Sequence, residues 1–220
     1  MDTKYFVANW KSNKKKSEAL EFLSQFKEII SSVDLANKII IIAPPLTLLD
    51  VCKDFVDKNS LPVKLAAQNV SPFPQGAYTG EVSAAQLKEF VEYVIVGHSE
   101  RLKYMHETDY DLENKIREAQ QEGLKVIQCI QGEDSVVHKG AELIAYEPPS
   151  AIGSGNPDDP THVQEVFKKV TDENSGIAML YGGSVKPENI GQFMRVEKMS
   201  GFLVGGASLE AHSFLSLLNG

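Results

Sequence analysis

The sequence predicts an α/β protein built as a closed (β/α)8 barrel, and two observations carry that expectation. Eight short apolar runs recur along the 220 residues, and the segments between most of them show helical spacing. The runs are apolar at consecutive positions, as suits parallel strands buried on both faces. No linker rich in Pro, Gly or Ser interrupts them, so one barrel domain over residues 1–220 is expected, with a doubly wound open sheet as the alternative topology.

The first run, YFVAN near residue 5, precedes SEALEFLSQFKEII, where Leu20, Phe22, Leu23, Phe26, Ile29 and Ile30 form one apolar helix face. IIIIA near 39, VKLAAQ near 63 and YVIVG near 93 are the next three runs. After them TDYDLENKIREAQQEG opens on a capping box, Thr108 with Asp111, and closes at Gly123. The alternating acids Asp109, Asp111 and Glu113 lack the glycine and spacing of a calcium loop, so they are helix-start charge. KVIQCI near 125, ELIAY near 142, IAMLYG near 177 and GFLVGG near 201 complete the set.

One unit is short. Only thirteen residues, IQGEDSVVHKGAE, separate Cys129 from Leu143, close to the minimum for a parallel crossover. The fifth helix is therefore expected to be shortened or missing. The outer face of the fifth and sixth strands then needs cover, from neighbouring helices or from a subunit contact.

A formal charge of −8 with no basic stripe beyond the brief KSNKKK argues against nucleic acid as a partner. A small anionic substrate stays compatible, because a pocket can hold charge with a few local donors. Only two cysteines occur, Cys52 and Cys129, too few for a secreted disulfide framework, so both are expected as reduced thiols. The amino terminus MDTKYFVANWKSN has no signal-length apolar region, and the longest aliphatic run, IIII at 39–42, cannot span a bilayer. A soluble, cytoplasmic protein with no membrane partner is the expectation.

In a (β/α)8 barrel the active site lies where strands end, so the polar residues that follow the apolar runs are the candidates. These are Asn9 and Lys11 after the first, Gln68 and Asn69 after the third, His98 after the fourth, and Glu147 after the sixth. Glycine-rich turns, IGSG, YGGS and VGGAS, follow the sixth, seventh and eighth and offer backbone N–H groups suited to phosphate. Singly, each has a plain structural explanation: a hydrogen-bonding His, a solvated Lys, a capping Glu, a tight turn. Their convergence on one rim favours chemistry. Metal and cofactor motifs fail, since HETDY at His106 has Tyr110 where a zinc helix needs a second His. GSG at 153–155 is not a dinucleotide fingerprint, and neither a nucleophile elbow nor a Walker lysine motif occurs, so no cofactor and no metal are expected.

At these residues the chain resembles triosephosphate isomerase from one end to the other. ANWKSN, AAQNVSPFPQGAYTGEVS, VIVGHSER, YEPPSAIGSG, YGGSVKPENI and FLVGGASL are similar to that family's signature segments, in the same order. The resemblance implies a TIM barrel that interconverts dihydroxyacetone phosphate and D-glyceraldehyde 3-phosphate in glycolysis and gluconeogenesis. Glu147 would be the base, His98 the neutral electrophile and proton shuttle, and Lys11 the electrostatic stabiliser. Asn9 would bond near the reacting carbons, and Gly153, Ser184, Gly205 and Gly206 would contact the phosphate. Ser99 and Glu100 would support the site, with Glu100 close to Lys11. Thr79 would reach into a neighbouring subunit and brace Asn9 and Lys11, implying a homodimer, with a higher oligomer still open. EPPSAIGSG would form a lid, stiffened at its proximal hinge by prolines, with 151–155 swinging over the phosphate to exclude water.

The chain departs from the family pattern at Pro149 and Ser150, where many members have Val-Trp. Leu102 replaces a second arginine, which is expected to weaken an ion pair around Arg101, and CIQGE carries one residue more than the family's Cys-Ile-Gly-Glu. The alternatives are another phosphate-binding barrel isomerase or epimerase, acting on a larger sugar phosphate, and a binding or scaffold protein that kept the barrel but lost turnover.

Overall fold

The computed structural model describes residues 3–153 and 155–219. Eight parallel strands, β1 (Lys4–Asn9), β2 (Lys38–Ala43), β3 (Lys64–Ala67), β4 (Tyr93–Val96), β5 (Lys125–Ile130), β6 (Ala141–Tyr146), β7 (Ala178–Tyr181) and β8 (Met199–Val204), follow one another around a closed barrel. Register pairs such as Val7 with Ile41 and Val7 with Leu203 close it on both sides of β1. The open-sheet alternative is thereby excluded.

The consecutive apolar pattern now has its cause. Along each strand alternate side chains point inward, where Val7, Ile41, Ile95, Ile127, Leu180 and Leu203 fill the barrel. Their neighbours, among them Phe6, Ile40, Val94, Val126, Ile144 and Phe202, point outward into a second apolar layer beneath the helices. That layer is covered by α1 (Lys16–Ile30), α2 (Leu49–Lys58), α3 (Ala84–Leu87), α4 (Ser99–Met105), α5 (Asp109–Gln121), α6 (Pro160–Glu173), α7 (Ile190–Phe193) and α8 (Ala211–Leu217). On α1, Phe22, Leu23, Phe26 and Ile30 are buried while Leu20 and Ile29 lie at the margin of the same face. The capping box of α5 forms as expected: Thr108 Oγ1 accepts the Asp111 N–H at 3.3 Å, and Asp111 Oδ2 accepts the Thr108 N–H at 2.8 Å.

Between β5 and β6 no helix forms among the described residues, and α4 and α5 both precede β5. Beside the cover expected from neighbouring helices or a subunit contact, the outer face has a third source that the sequence reading did not foresee. The connecting segment itself crosses it as a strap. Gln128, on the outward side of β5 and 1% exposed, donates through Nε2 to the Val136 carbonyl at 2.7 Å and accepts the His138 N–H at Oε1 at 2.9 Å. Val137 then packs against the outer apolar layer. Lys169 of α6 adds an outer clamp, with Nζ 2.6 Å from Asp134 and 3.3 Å from Glu133. A single side-chain amide thus does locally what a helix does elsewhere.

The ion pair around Arg101 persists despite Leu102. Arg101 Nε donates to Glu107 Oε1 at 2.5 Å, and Lys115, from α5, donates to the same carboxylate and to Asn69 Oδ1 at 2.8 Å. Lys115 supplies the second cation, its pKa drawn down by burial and held up in part by Glu107. Leu102 joins the apolar layer instead.

Candidate active site

The catalytic candidates meet at the carboxyl ends of the strands, around a cavity of about 220 Å3 lined by Asn9, Lys11, His98 and Glu147 on one side and by Gly153, Ser184, Gly205 and Gly206 on the other. That volume is below the roughly 300–1,000 Å3 typical of pockets for drug-sized ligands, which favours a molecule of few atoms.

Asn9 ends β1 and is 5% exposed. Two residues on, Lys11 adopts a φ of 53°, a conformation that costs a non-glycine residue about 1–3 kcal/mol. Its peptide is tied at both ends: the N–H donates to Asn9 Oδ1 at 3.0 Å, and the carbonyl accepts Gln68 Nε2 at 3.0 Å. Gln68 also donates to the carbonyl of Ala43 at 2.8 Å, which joins the ends of β1, β2 and β3. The twist turns the ammonium towards the cavity, where Nζ meets Glu100 Oε1 at 2.6 Å.

His98 follows β4 through Gly97, whose φ of 74° makes the sharp turn and whose hydrogen lies where a Cβ would strike Leu112 at 2.8 Å. At the N-cap of α4, His98 Nδ1 accepts the Glu100 N–H at 3.1 Å. An accepting Nδ1 carries no proton, so the ring hydrogen sits on Nε2, which faces Glu147 Oε1 at 2.9 Å.

Glu147 follows β6 and is 1% exposed. Its second oxygen accepts the Ser99 N–H at 2.9 Å. Both carboxylate oxygens are therefore paired with nitrogens of the β4 turn, so neither is buried without a partner. Cys129, at the end of β5, lies beside this carboxylate, and its thiol is pushed well up by burial first and then by Glu147. Cys52 is likewise pushed up to about 12 by burial, and both cysteines are free and buried. The carboxylate is also crowded from β7, since a Cβ on Gly182 would stand 3.0 Å from Glu147 Cγ.

Opposite these groups the three glycine-rich turns converge. Gly153 and Ser184 take φ values of 67° and 53°. Ser184 Oγ donates to the Ala151 carbonyl at 2.5 Å, fastening the turn in which the Ala151 N–H reaches the Pro148 carbonyl at 2.9 Å. Ser154, within the stretch expected to act as a lid, lies outside the described residues. Lys186 lines the same cavity, and sequence reasoning had not singled it out. Its only signal was a lone cation just after YGGS.

Ser99 and Glu100 stand behind the cavity and reach it through Glu147 and Lys11. Thr79 is not brought to the cavity of its own chain. It sits in the exposed stretch 73–81, where Phe73 and Tyr78 stack at 4.4 Å. Among the described residues, no group of three or more His, Cys, Asp or Glu side chains is placed to hold a metal ion, and no helix is long and apolar enough to cross a membrane.

Comparison with known proteins points to one family. The family model for triosephosphate isomerase matches residues 4–143 and 133–220, its two segments meeting in the short fifth unit. The triosephosphate isomerase of Gloeobacter violaceus is 37% identical over 242 residues, covering 100% of this chain and 99% of that protein. Those of Thermodesulfovibrio yellowstonii (39% identical, 99% of both chains) and Mesomycoplasma hyorhinis (36%, covering 99% and 98%) are similar along their length.

Proposed function

Because the chain belongs to the triosephosphate isomerase family, we propose that Glu147, His98 and Lys11 carry the isomerisation of dihydroxyacetone phosphate and D-glyceraldehyde 3-phosphate within one barrel domain over residues 1–220. The reaction itself, an aldose–ketose isomerisation of glycolysis, follows from the family. The observation that carries the residue assignment is the 2.9 Å approach of Glu147 Oε1 to His98 Nε2 in a cavity that Lys11 also lines.

The proton to be removed lies on carbon next to a carbonyl and is weakly acidic, so a base must be aimed at carbon and donors at oxygen. Glu147 leaves His98 as substrate enters between them and takes the proton from C1 of the ketose. Negative charge develops on the C2 oxygen, where the Lys11 ammonium and the His98 Nε2–H stabilise it. His98 then gives its Nε2 proton to that oxygen and accepts one from the neighbouring hydroxyl, which moves the negative charge to the C1 oxygen without an outside proton source. Glu147 returns its proton to C2, and the aldose forms. The phosphate lies against the backbone N–H groups of Gly153, Ser184, Gly205 and Gly206, with Lys186 adding a cation. Residues 151–155 close over it to keep water from the enediolate.

The exposed stretch carrying Thr79 fits a partner subunit. A cavity of about 290 Å3, lined by Lys11, Pro45, Leu46, Gln68 and Arg101 among others, offers it a seat beside Lys11. Leu46, Phe73 and Tyr78 are more than two-fifths exposed and would be buried in such a homodimer. Two buried free thiols are in keeping with a cytoplasmic setting.

A coupled assay on glyceraldehyde 3-phosphate tests the assignment. Glu147→Asp, which draws the carboxylate back by about one bond length, is expected to lower kcat by about a hundredfold or more. Glu147→Gln should be lower still, with 2-phosphoglycolate binding retained. Full activity in either variant would remove Glu147 as the base, and a wild type inactive on the triose but active on a larger sugar phosphate would favour the alternative substrate.

A further inference from the structure

Lys14 is a charged residue that the chemistry above does not use, yet it is built into the fold more firmly than a surface lysine. Its φ of 71° places it in the left-handed region, where a non-glycine residue is strained. Its stem lies along the apolar layer, and Nζ sits 5.2 Å from the ring centroid of the fully buried Trp10 and 4.9 Å from that of Phe22, within the range of a cation–π contact. Nζ also donates to the Leu209 carbonyl at 2.7 Å, across 195 positions of sequence. Burial draws its pKa below the usual lysine value, opposed by Glu210, Glu18 and Glu21.

Leu209 closes the turn that follows β8. That turn is a hydrogen-bonded unit: the Ser208 N–H reaches the Gly205 carbonyl at 2.8 Å, the Leu209 N–H reaches the Gly206 carbonyl at 3.1 Å, and Ser208 Oγ donates back to the Val204 carbonyl at 2.9 Å. Its inner end bears Gly205 and Gly206. A Cβ on Gly205 would stand 3.4 Å from Lys11 Cε, so the turn and the Lys11 loop are in contact at the cavity floor. Lys14 ties the same two segments together at their outer end.

We propose that Lys14 is a positioning residue that holds the Gly205–Leu209 turn in register with Lys11, so that the anion-binding N–H groups and the Lys11 ammonium face one bound substrate at the right separation. This rests on the assignment of Gly205 and Gly206 to the phosphate. A charge-assisted bond to a carbonyl, supported by two ring faces, is among the stronger single tethers available to a half-buried side chain. Loss of it frees the turn as a unit and moves its N–H groups relative to Lys11.

Steady-state kinetics and inhibition by inorganic phosphate test this with Lys14→Met, which keeps an unbranched stem over Trp10 and Phe22 but removes the donor, and with Lys14→Arg, which restores one. Lys14→Met is expected to raise KM and the inhibition constant of phosphate by about tenfold while kcat changes by less than about threefold, and Lys14→Arg to stay near the wild type. An unchanged phosphate constant in Lys14→Met, or a fall in kcat at constant KM, would overturn the proposal. So would an equal defect in Lys14→Arg. If phosphate does not inhibit the wild type at all, the assignment of the turns falls with it. Thermal unfolding of both variants checks folding: a Lys14→Met protein that melts like the wild type and still shows the KM shift supports positioning over bulk stability.

Discussion

Gln128→Leu is the sharpest test of how this barrel does without its fifth helix. The substitution keeps the volume and removes both bonds to the strap, the 2.7 Å donation to Val136 and the 2.9 Å acceptance from His138. The His138 N–H is left against a leucine at a position 1% exposed, and an orphaned buried donor costs about 1–3 kcal/mol. The Val136 side chain is 54% exposed, so its carbonyl turns more readily to water, and its lost bond costs about 0.5–1.5 kcal/mol. Better burial of leucine than of an amide offsets about 1 kcal/mol of this, which leaves a net loss of about 0.5–3.5 kcal/mol, centred near 2. For a chain of this size the central value lowers Tm by about 4–8 °C. Urea unfolding followed by far-UV circular dichroism, at fixed protein concentration, should show a lower midpoint with an unchanged slope. The kcat of folded enzyme should hold, because the strap lies on the outer face and the catalytic groups on the rim. A loss below about 0.5 kcal/mol would refute the account, since the strap would then be held by apolar contact alone.

Gly182→Ala puts a methyl 3.0 Å from Glu147 Cγ and 3.3 Å from the Tyr146 carbonyl, so Glu147, the base proposed above, must move by a few tenths of an ångström. It is expected to lower kcat by about tenfold, whereas Gly191→Ala, in open space within α7, should leave activity alone; equal kinetics in the two variants would count against a crowded base. Asp111 has a pKa held below its ordinary 3.8 by the Thr108 N–H and then by its hydroxyl. A depressed folded pKa stabilises in full above the unfolded value and is lost as pH falls through the folded one. Asp111→Asn should therefore cost a few tenths to about 1 kcal/mol near neutral pH, once solvent screening of this partly exposed carboxylate is allowed for, and the gap from wild type should narrow as pH falls through and below 3.8. A gap that stays constant with pH would show that the cap does not depend on charge.

The strand set, the helix faces and the α5 cap were legible in the sequence because each depends on residues a few positions apart. A run such as YVIV is buried on both faces wherever its partners come from. The same holds for most of the rim: of the six residues named from their place after a strand, Asn9, Lys11, His98 and Glu147 line the cavity, whereas Gln68 braces the Lys11 and Ala43 carbonyls and Asn69 pairs with Lys115 outside it. Lys186 escaped notice because a single lysine in a turn looks the same whether it faces solvent or a pocket.

What the tertiary structure decided are the contacts between segments that only barrel closure brings together. The pairing of Ser99 and Glu147 spans 48 positions, and that of Lys14 and Leu209 spans 195. Lys115 reaches Glu107 beside Arg101 from a different helix, and Gln128, a lone polar residue in an apolar run, becomes the anchor of the strap. No local pattern encodes such partners, because a hydrogen bond depends on where two chain segments lie in space to within a few tenths of an ångström. Hydrophobic periodicity specifies only which face each segment buries.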